Sequence, residues 1–187
     1  STMIIQLIGA SGSGKSTLAG AVGRLAHLPV LHSDHYLWQD SDFTIMRPID
    51  QQHAMLQADL ARHSSFVLDG GVHRWLPDGA LRPSLLVLLR LDQDTRMERL
   101  RQREWLRYGA RCLPGGDHYA LTEEFLEWAA TYETALAHEE HTSLAGHFQL
   151  LRQAPCPCLI LWNTRPAEEL AQLIFRTAQQ LESAAPA

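Results

Sequence analysis

Three glycines fall within six residues, 9–14, of the stretch "LIGASGSGKST" (7–17), between an apolar run and an amphipathic one. A chain passing through such a stretch can turn sharply, because glycine tolerates the left-handed backbone that other residues avoid. The run before it, "MIIQLIG" (3–9), reads as a buried strand. The run after it, "KSTLAGAVGRLA" (15–26), puts Leu18, Ala21, Val22 and Leu25 on one helical face. A strand, a glycine turn and a helix in that order aim successive backbone N–H groups, and the positive end of a helix, at one point. Such a point suits a phosphate.

Residues 9–16, "GASGSGKS", satisfy the pattern G-x-x-x-x-G-K-[ST]. In that pattern the backbone of Gly9, Ala10, Ser11, Gly12, Ser13 and Gly14 cradles phosphate oxygens. Lys15 bridges the β- and γ-phosphates, the Ser16 hydroxyl ligates Mg2+, and Thr17 is counted with them among the nucleotide-binding residues. Lys15 is the only lysine; the other fifteen of the 16 basic residues are arginine. A compact ammonium fits inside a closed backbone cradle where a planar guanidinium does not. At ordinary glycine usage, a chance match in a chain this long is roughly a one-in-a-hundred event.

The rest of the chain alternates strand and helix. Further strands are expected at 29–34, 65–71, 84–92 and 158–162, and helices at 49–63, 93–108, 121–141 and 166–183. "SLLVLLRLD" (84–92) lacks polar alternation, as a central parallel strand does. Five short apolar strands interleaved with helices predict an α/β fold, a three-layer α/β/α sandwich over a parallel sheet. At 187 residues and 45% hydrophobic the chain is read as one domain. A net charge of −5 implies no broad basic patch for nucleic acid. Cys112, Cys156 and Cys158 make a poor disulfide framework, which favours a reduced, cytoplasmic setting. The opening "STMIIQLIGA" lacks a basic leader and reads as strand, and no run approaches membrane-spanning length.

With these motifs in place, the sequence resembles the P-loop nucleoside and nucleotide kinases, the adenylate-kinase-like superfamily, and small bacterial relatives of it. The shorter matches are "SDHYLW", "FVLDGG", "LRLDQDTRMERLRQR" and "LWNTRPAEEL". The resemblance implies a P-loop NTPase fold with a five-stranded parallel sheet of order 2-3-1-4-5. It also implies a substrate-binding insertion at about 35–64 and a lid at about 103–120. Competing classes fail on residues. A Ras-like GTPase needs N-K-x-D, which "NTRP" does not supply, and no LSGGQ-like transporter signature is present. The chain is also short for an AAA+ module carrying its own sensor domain.

The resemblance also assigns roles. Asp34, following the second strand, would contact the acceptor hydroxyl and serve as base. Asp69, ending the third strand, would be the Mg2+-associated acid, with Asp92 as competitor or as the cap of the following helix. Arg96, Arg99, Arg103 and Arg107 share a helix face. Of these, Arg99 would stack on the adenine and Arg103 would reach the transferred phosphate. Asn163 and Arg165 would line the adenine edge. Tyr36, Arg47 and Arg74, with Trp38 and Trp75 nearby, are candidates for the acceptor pocket. "HEEH" (138–141) is not a metal-binding spacing and reads as a solvated face. The expectation is an ATP- and Mg2+-dependent kinase acting on a small-molecule acceptor without membrane attachment. The alternative is an ATP-binding regulator with little turnover and a macromolecular partner.

Overall fold

A computed structural model describes residues 2–185. Its five strands are β1 (Ile4–Gly9), β2 (Val30–His32), β3 (Phe66–Asp69), β4 (Leu85–Arg90) and β5 (Cys158–Trp162). They pair in parallel in the order β2-β3-β1-β4-β5, the order expected. Seven helices connect them: α1 (Lys15–Ala26), α2 (Ser33–Leu37), α3 (Ile49–Arg62), α4 (Gln93–Tyr108), α5 (Tyr119–Ala130), α6 (Leu144–Gln153) and α7 (Ala167–Ala184).

Alternation along the strands divides the core into two layers. Ile5, Leu7, Val67, Leu85, Val87 and Leu89 face α1 and α7, where they meet Leu18, Val22, Leu170 and Ile174. On the other face, Leu31, Phe66 and Leu68 pack with Tyr36, Leu56 and Trp75. Ile8, Leu86 and Leu88 on that same face receive Leu144, Phe148 and Leu151 of α6. Burial on both faces explains the unbroken apolar run of β4. At the sheet edge β5 alternates, with Ile160 and Trp162 about half exposed at 50% and 49%. The Arg90 guanidinium covers the Trp162 ring at 4.6 Å.

Three elements differ from expectation. The helix expected at 121–141 ends at Ala130. There the Thr131 hydroxyl donates to the Trp128 carbonyl at 2.7 Å, a side-chain bond that competes with helical continuation. A separate helix, α6, then begins at a cap the periodicity did not reveal. Ser143 Oγ accepts the Gly146 N–H at 3.0 Å. The short α2 departs as well, since it takes up residues 33 and 34 of the strand expected at 29–34. Asp92 caps α4, its carboxylate accepting the Thr95 N–H at 3.1 Å.

Candidate active site

The loop between β1 and α1 takes the turn its glycines allow. Gly12 and Gly14 have φ of 81° and 91°. A Cβ on Gly12 would lie 2.8 Å from Leu100 Cγ, and one on Gly14 would strike the Asn163 amide. Both positions therefore require glycine for conformation and for space. The first turn of α1 carries no acidic residue and no side-chain cap, so its positive end is left open to an anion.

Lys15 and Ser16 open α1, and Asp69 ends β3, the neighbour of β1. The register pairs Leu7 with Asp69, which turns the carboxylate toward α1. Lys15 Nζ lies 2.8 Å from Asp69 Oδ1, and the Ser16 hydroxyl donates to Oδ2 at 2.8 Å. Register also sets His32 of β2 level with Asp69. Its Nδ1 lies 2.6 Å from Oδ2. Asp69 is only 4% exposed. Burial alone would raise its carboxyl, but the His32 hydrogen bond, the Lys15 charge and the Ser16 hydroxyl hold it well below the usual carboxylate range. The Asp69 hydrogen bond in turn raises the His32 pKa. His32 was not among the expected site residues. Only the adjacency of strands two and three exposes it.

The remaining expected residues scatter around this centre. Arg99 reaches over the loop, its Nη1 within 3.6 Å of where a Gly14 Cβ would stand. Asp34 lies exposed in the first turn of α2, and its charge is felt by His32 and Arg103. Arg103 is half-buried over the Phe125 ring at 5.6 Å, and its Nε has no hydrogen-bond partner. Burial, then the neighbouring Arg107, lowers its pKa. Arg107 sits 5.6 Å over Phe43, joining the end of α4 to the segment between α2 and α3. Arg47 is intermediate in exposure and its Nε donates to the His35 carbonyl at 3.2 Å. Arg74 and Arg165 are exposed.

Four placements differ from those expected. Tyr36 is 1% exposed, donates to Asp59 Oδ2 at 2.6 Å and packs edge-on against Trp75. It is a core residue rather than a wall of an open pocket. Trp75 is buried as well, with its indole N–H given to Gln52. Asn163 places its amide against the phosphate loop itself, donating to the Ser13 carbonyl at 2.8 Å. Arg96 leaves the arginine stripe altogether. It is 1% exposed and bound by both nitrogens of its fork.

Of the "HEEH" histidines, His141 stacks on His73 at 4.3 Å, and His138 is exposed. His147 of α6 is buried, with Nδ1 2.7 Å from the Tyr132 hydroxyl. Among the described residues no helix is long and apolar enough to cross a membrane.

A glycine cradle, a lysine and a hydroxyl gathered on one strand-end carboxylate, in a parallel 2-3-1-4-5 sheet, define a P-loop NTPase of kinase-like fold. Residues 5–120 match the family described as "AAA domain" (AAA_18), and the chain belongs to that family. Setting AAA+ modules aside on length is thereby corrected as far as family membership goes. The matched segment runs from β1 to the start of α5. A relative, "Uncharacterized protein YqaC" of Bacillus subtilis (strain 168), is 38% identical over 155 residues, covering 83% of this chain and 85% of the relative.

Solved structures of similar fold include a deoxyadenosine kinase from M. mycoides with products bound. It has TM-score 0.54 and 14% identity, covering 95% of this chain and 100% of that one. The shikimate kinase of Acinetobacter baumannii in complex with shikimate has TM-score 0.52 and 17% identity, covering 100% and 97%. A gluconokinase from Sinorhizobium meliloti 1021 has TM-score 0.51 and 16% identity, covering 98% of each chain. At these identities the likeness is one of fold.

Proposed function

We propose that the protein is an ATP- and Mg2+-dependent cytoplasmic kinase. It would transfer the γ-phosphoryl group to a nucleoside, a nucleotide or another small hydroxylated metabolite. The observation that carries this reading is the convergence of Lys15 and Ser16 on Asp69 at the mouth of the glycine loop. The names of the structural neighbours add support, since three acceptor types share this fold: a deoxynucleoside, shikimate and gluconate.

The residues present fit the implied ion. Ser16 and Asp69 would hold Mg2+ with one hydroxyl and one carboxylate, a set that leaves positions for phosphate oxygens and water. When bound, the ion neutralises charge on the β- and γ-phosphates. The chain does the rest by positioning. The cradle from Gly9 to Thr17 binds phosphate, and the Lys15 ammonium shifts from Asp69 to the bridging oxygens. Asp34 orients the acceptor hydroxyl and takes its proton. The new bond forms between acceptor oxygen and γ-phosphorus as the bond to the β-phosphate oxygen breaks, and ADP leaves. Arg99 contacts the nucleotide and Arg103 the transferred group. Arg165 borders the adenine. Arg47 and Arg74 meet an anionic part of the acceptor. The lid at 103–120 and the insertion at 35–64 close to exclude water, the competing acceptor.

A screen tests the reading. Protein, ATP and Mg2+ are mixed with nucleosides, nucleoside monophosphates and hydroxylated metabolites, and ADP release is read. One acceptor raising the rate well above background establishes the kinase. A flat panel beside measured ATP binding would favour the ATP-binding regulator. A Lys15→Ala variant that binds ATP as tightly as wild type would sink the phosphate-loop assignment.

A further inference from the structure

We infer that Arg96 is a positioning residue of the phosphate loop, turning the Gly12 N–H into the cradle from outside. The inference rests on the nucleotide-binding reading above and adds a residue outside the motif to the binding machinery. Arg96 Nη1 donates to the Ser11 carbonyl at 3.1 Å, across 85 residues of sequence. A trans peptide is planar, so the Ser11 C=O and the Gly12 N–H point in opposite directions. Gly12 is packed on α4, with its missing Cβ facing Leu100 and the Arg96 backbone. Pulling the Ser11 carbonyl toward α4 therefore aims the Gly12 N–H away from α4, toward the mouth that holds Lys15 and Asp69. The positive φ of Gly12 is the backbone counterpart of that orientation.

The guanidinium is built in place for this. Nη1 also donates to the Ala129 carbonyl at 3.1 Å. Nη2 is bidentate on Glu133, at 2.8 and 3.0 Å. The Tyr132 ring lies 5.4 Å below. A planar guanidinium held on Nη2 by a carboxylate and on Nη1 by two carbonyls is restrained from rotating away from the carbonyls it serves. Only Nε lacks a partner. A buried charge bound by one carboxylate and two carbonyls is a costly way to brace a helix end, since an apolar side chain would pack as well. Its retention against a loop carbonyl marks a role in orientation. Glu133 acts through Arg96, and together they tie the phosphate loop to the segment that follows α5.

The test is 15N NMR of the Gly12 and Gly14 amides in the full chain, with and without MgADP. In wild type both amides should move on titration. In Arg96→Met the Gly12 response should be lost while that of Gly14 persists, and MgADP affinity should fall about tenfold. Arg96→Lys, which reaches one carbonyl as a point charge, should recover part of the Gly12 response. Tyr36→Phe, which removes a core hydrogen bond away from the loop, should retain the response even where it lowers the melting temperature, which separates orientation from stability. A Gly12 amide in folded Arg96→Met that responds as wild type does would overturn the inference and leave nucleotide binding standing. A wild-type chain in which neither amide responds to MgADP or MgATP would sink the nucleotide reading and this inference with it.

Discussion

His32 and Asp69 end adjacent parallel strands at the same level, and the ring nitrogen Nδ1 stands 2.6 Å from the carboxylate oxygen Oδ2. The same oxygen accepts the Ser16 hydroxyl, while its twin meets Lys15. One carboxylate thus organises three side chains from two elements, α1 and β2. Its low pKa depends on all of them, because burial by itself pushes the other way.

Replacing His32 with Ala should therefore move the Asp69 titration up toward the ordinary carboxylate range. The shift is read by side-chain 13C NMR, and His32→Asn should restore part of it through its amide donor. An Asp69 midpoint unmoved in His32→Ala would show that Lys15 and Ser16 suffice.

Asn163 holds the Ser13 carbonyl at 2.8 Å. By the same peptide geometry this turns the Gly14 N–H toward the cradle. Asn163→Ala should weaken MgADP binding about tenfold and cost about 1 kcal/mol of stability. Asn163→Asp should be worse, because a carboxylate then faces a carbonyl oxygen. Calorimetric titration and urea unfolding check both. A nucleotide affinity untouched by Asn163→Asp would remove Asn163 from the binding machinery.

Burial lowers the His147 pKa to about 4, with the charge of Lys15 acting in the same direction. The ring is neutral when folded, and the unfolded chain takes up a proton near the ordinary value of about 6.5. Stability from this group is present above pH 6.5 and is lost as pH falls toward 4. Between pH 7 and 5 the loss should be about 2 kcal/mol. The exposed His73, also lowered to about 4, adds to the slope, whereas His32, raised by Asp69, opposes it. The quantity to compare is therefore urea stability at pH 7 and pH 5 in wild type and in His147→Gln. Equal slopes in the two proteins would contradict the assignment.

Tyr36 donates its hydroxyl to Asp59 inside the core between α2 and α3. Tyr36→Phe should lower stability by about 1 kcal/mol and leave the KM for any acceptor found in the screen unchanged. A rise in acceptor KM without loss of stability would return Tyr36 to the pocket.

The motif residues were legible because their chemistry is local. Six residues of loop, one lysine and one hydroxyl carry their own geometry, and α1, α4 and β5 begin and end where periodicity and caps place them. Residues whose role depends on a distant partner were harder. Nothing near His32 in sequence announces it, and strand order was needed to set it beside Asp69. Tyr36 has the composition of a pocket aromatic, but Asp59 and Trp75 make it core. Arg96 shares a spacing with Arg99 and Arg103. It also lies one turn before Leu100 on the buried face of α4, and that second pattern decides its fate. The helix from 119 overran in the sequence reading because no glycine or proline marks its end. Thr131 and the carbonyl taken by Arg96 do so instead.

The bond between Asn163 and Ser13 spans 150 residues. A ribosome that has made the first fifth of this chain has already made the whole glycine motif, and the amide that steadies it is still untranslated. Until β5 emerges and docks, the nascent loop has its letters without its brace. Competence to hold a nucleotide therefore arrives late in synthesis, and a truncated product ending before residue 163 should carry the signature while failing at the task.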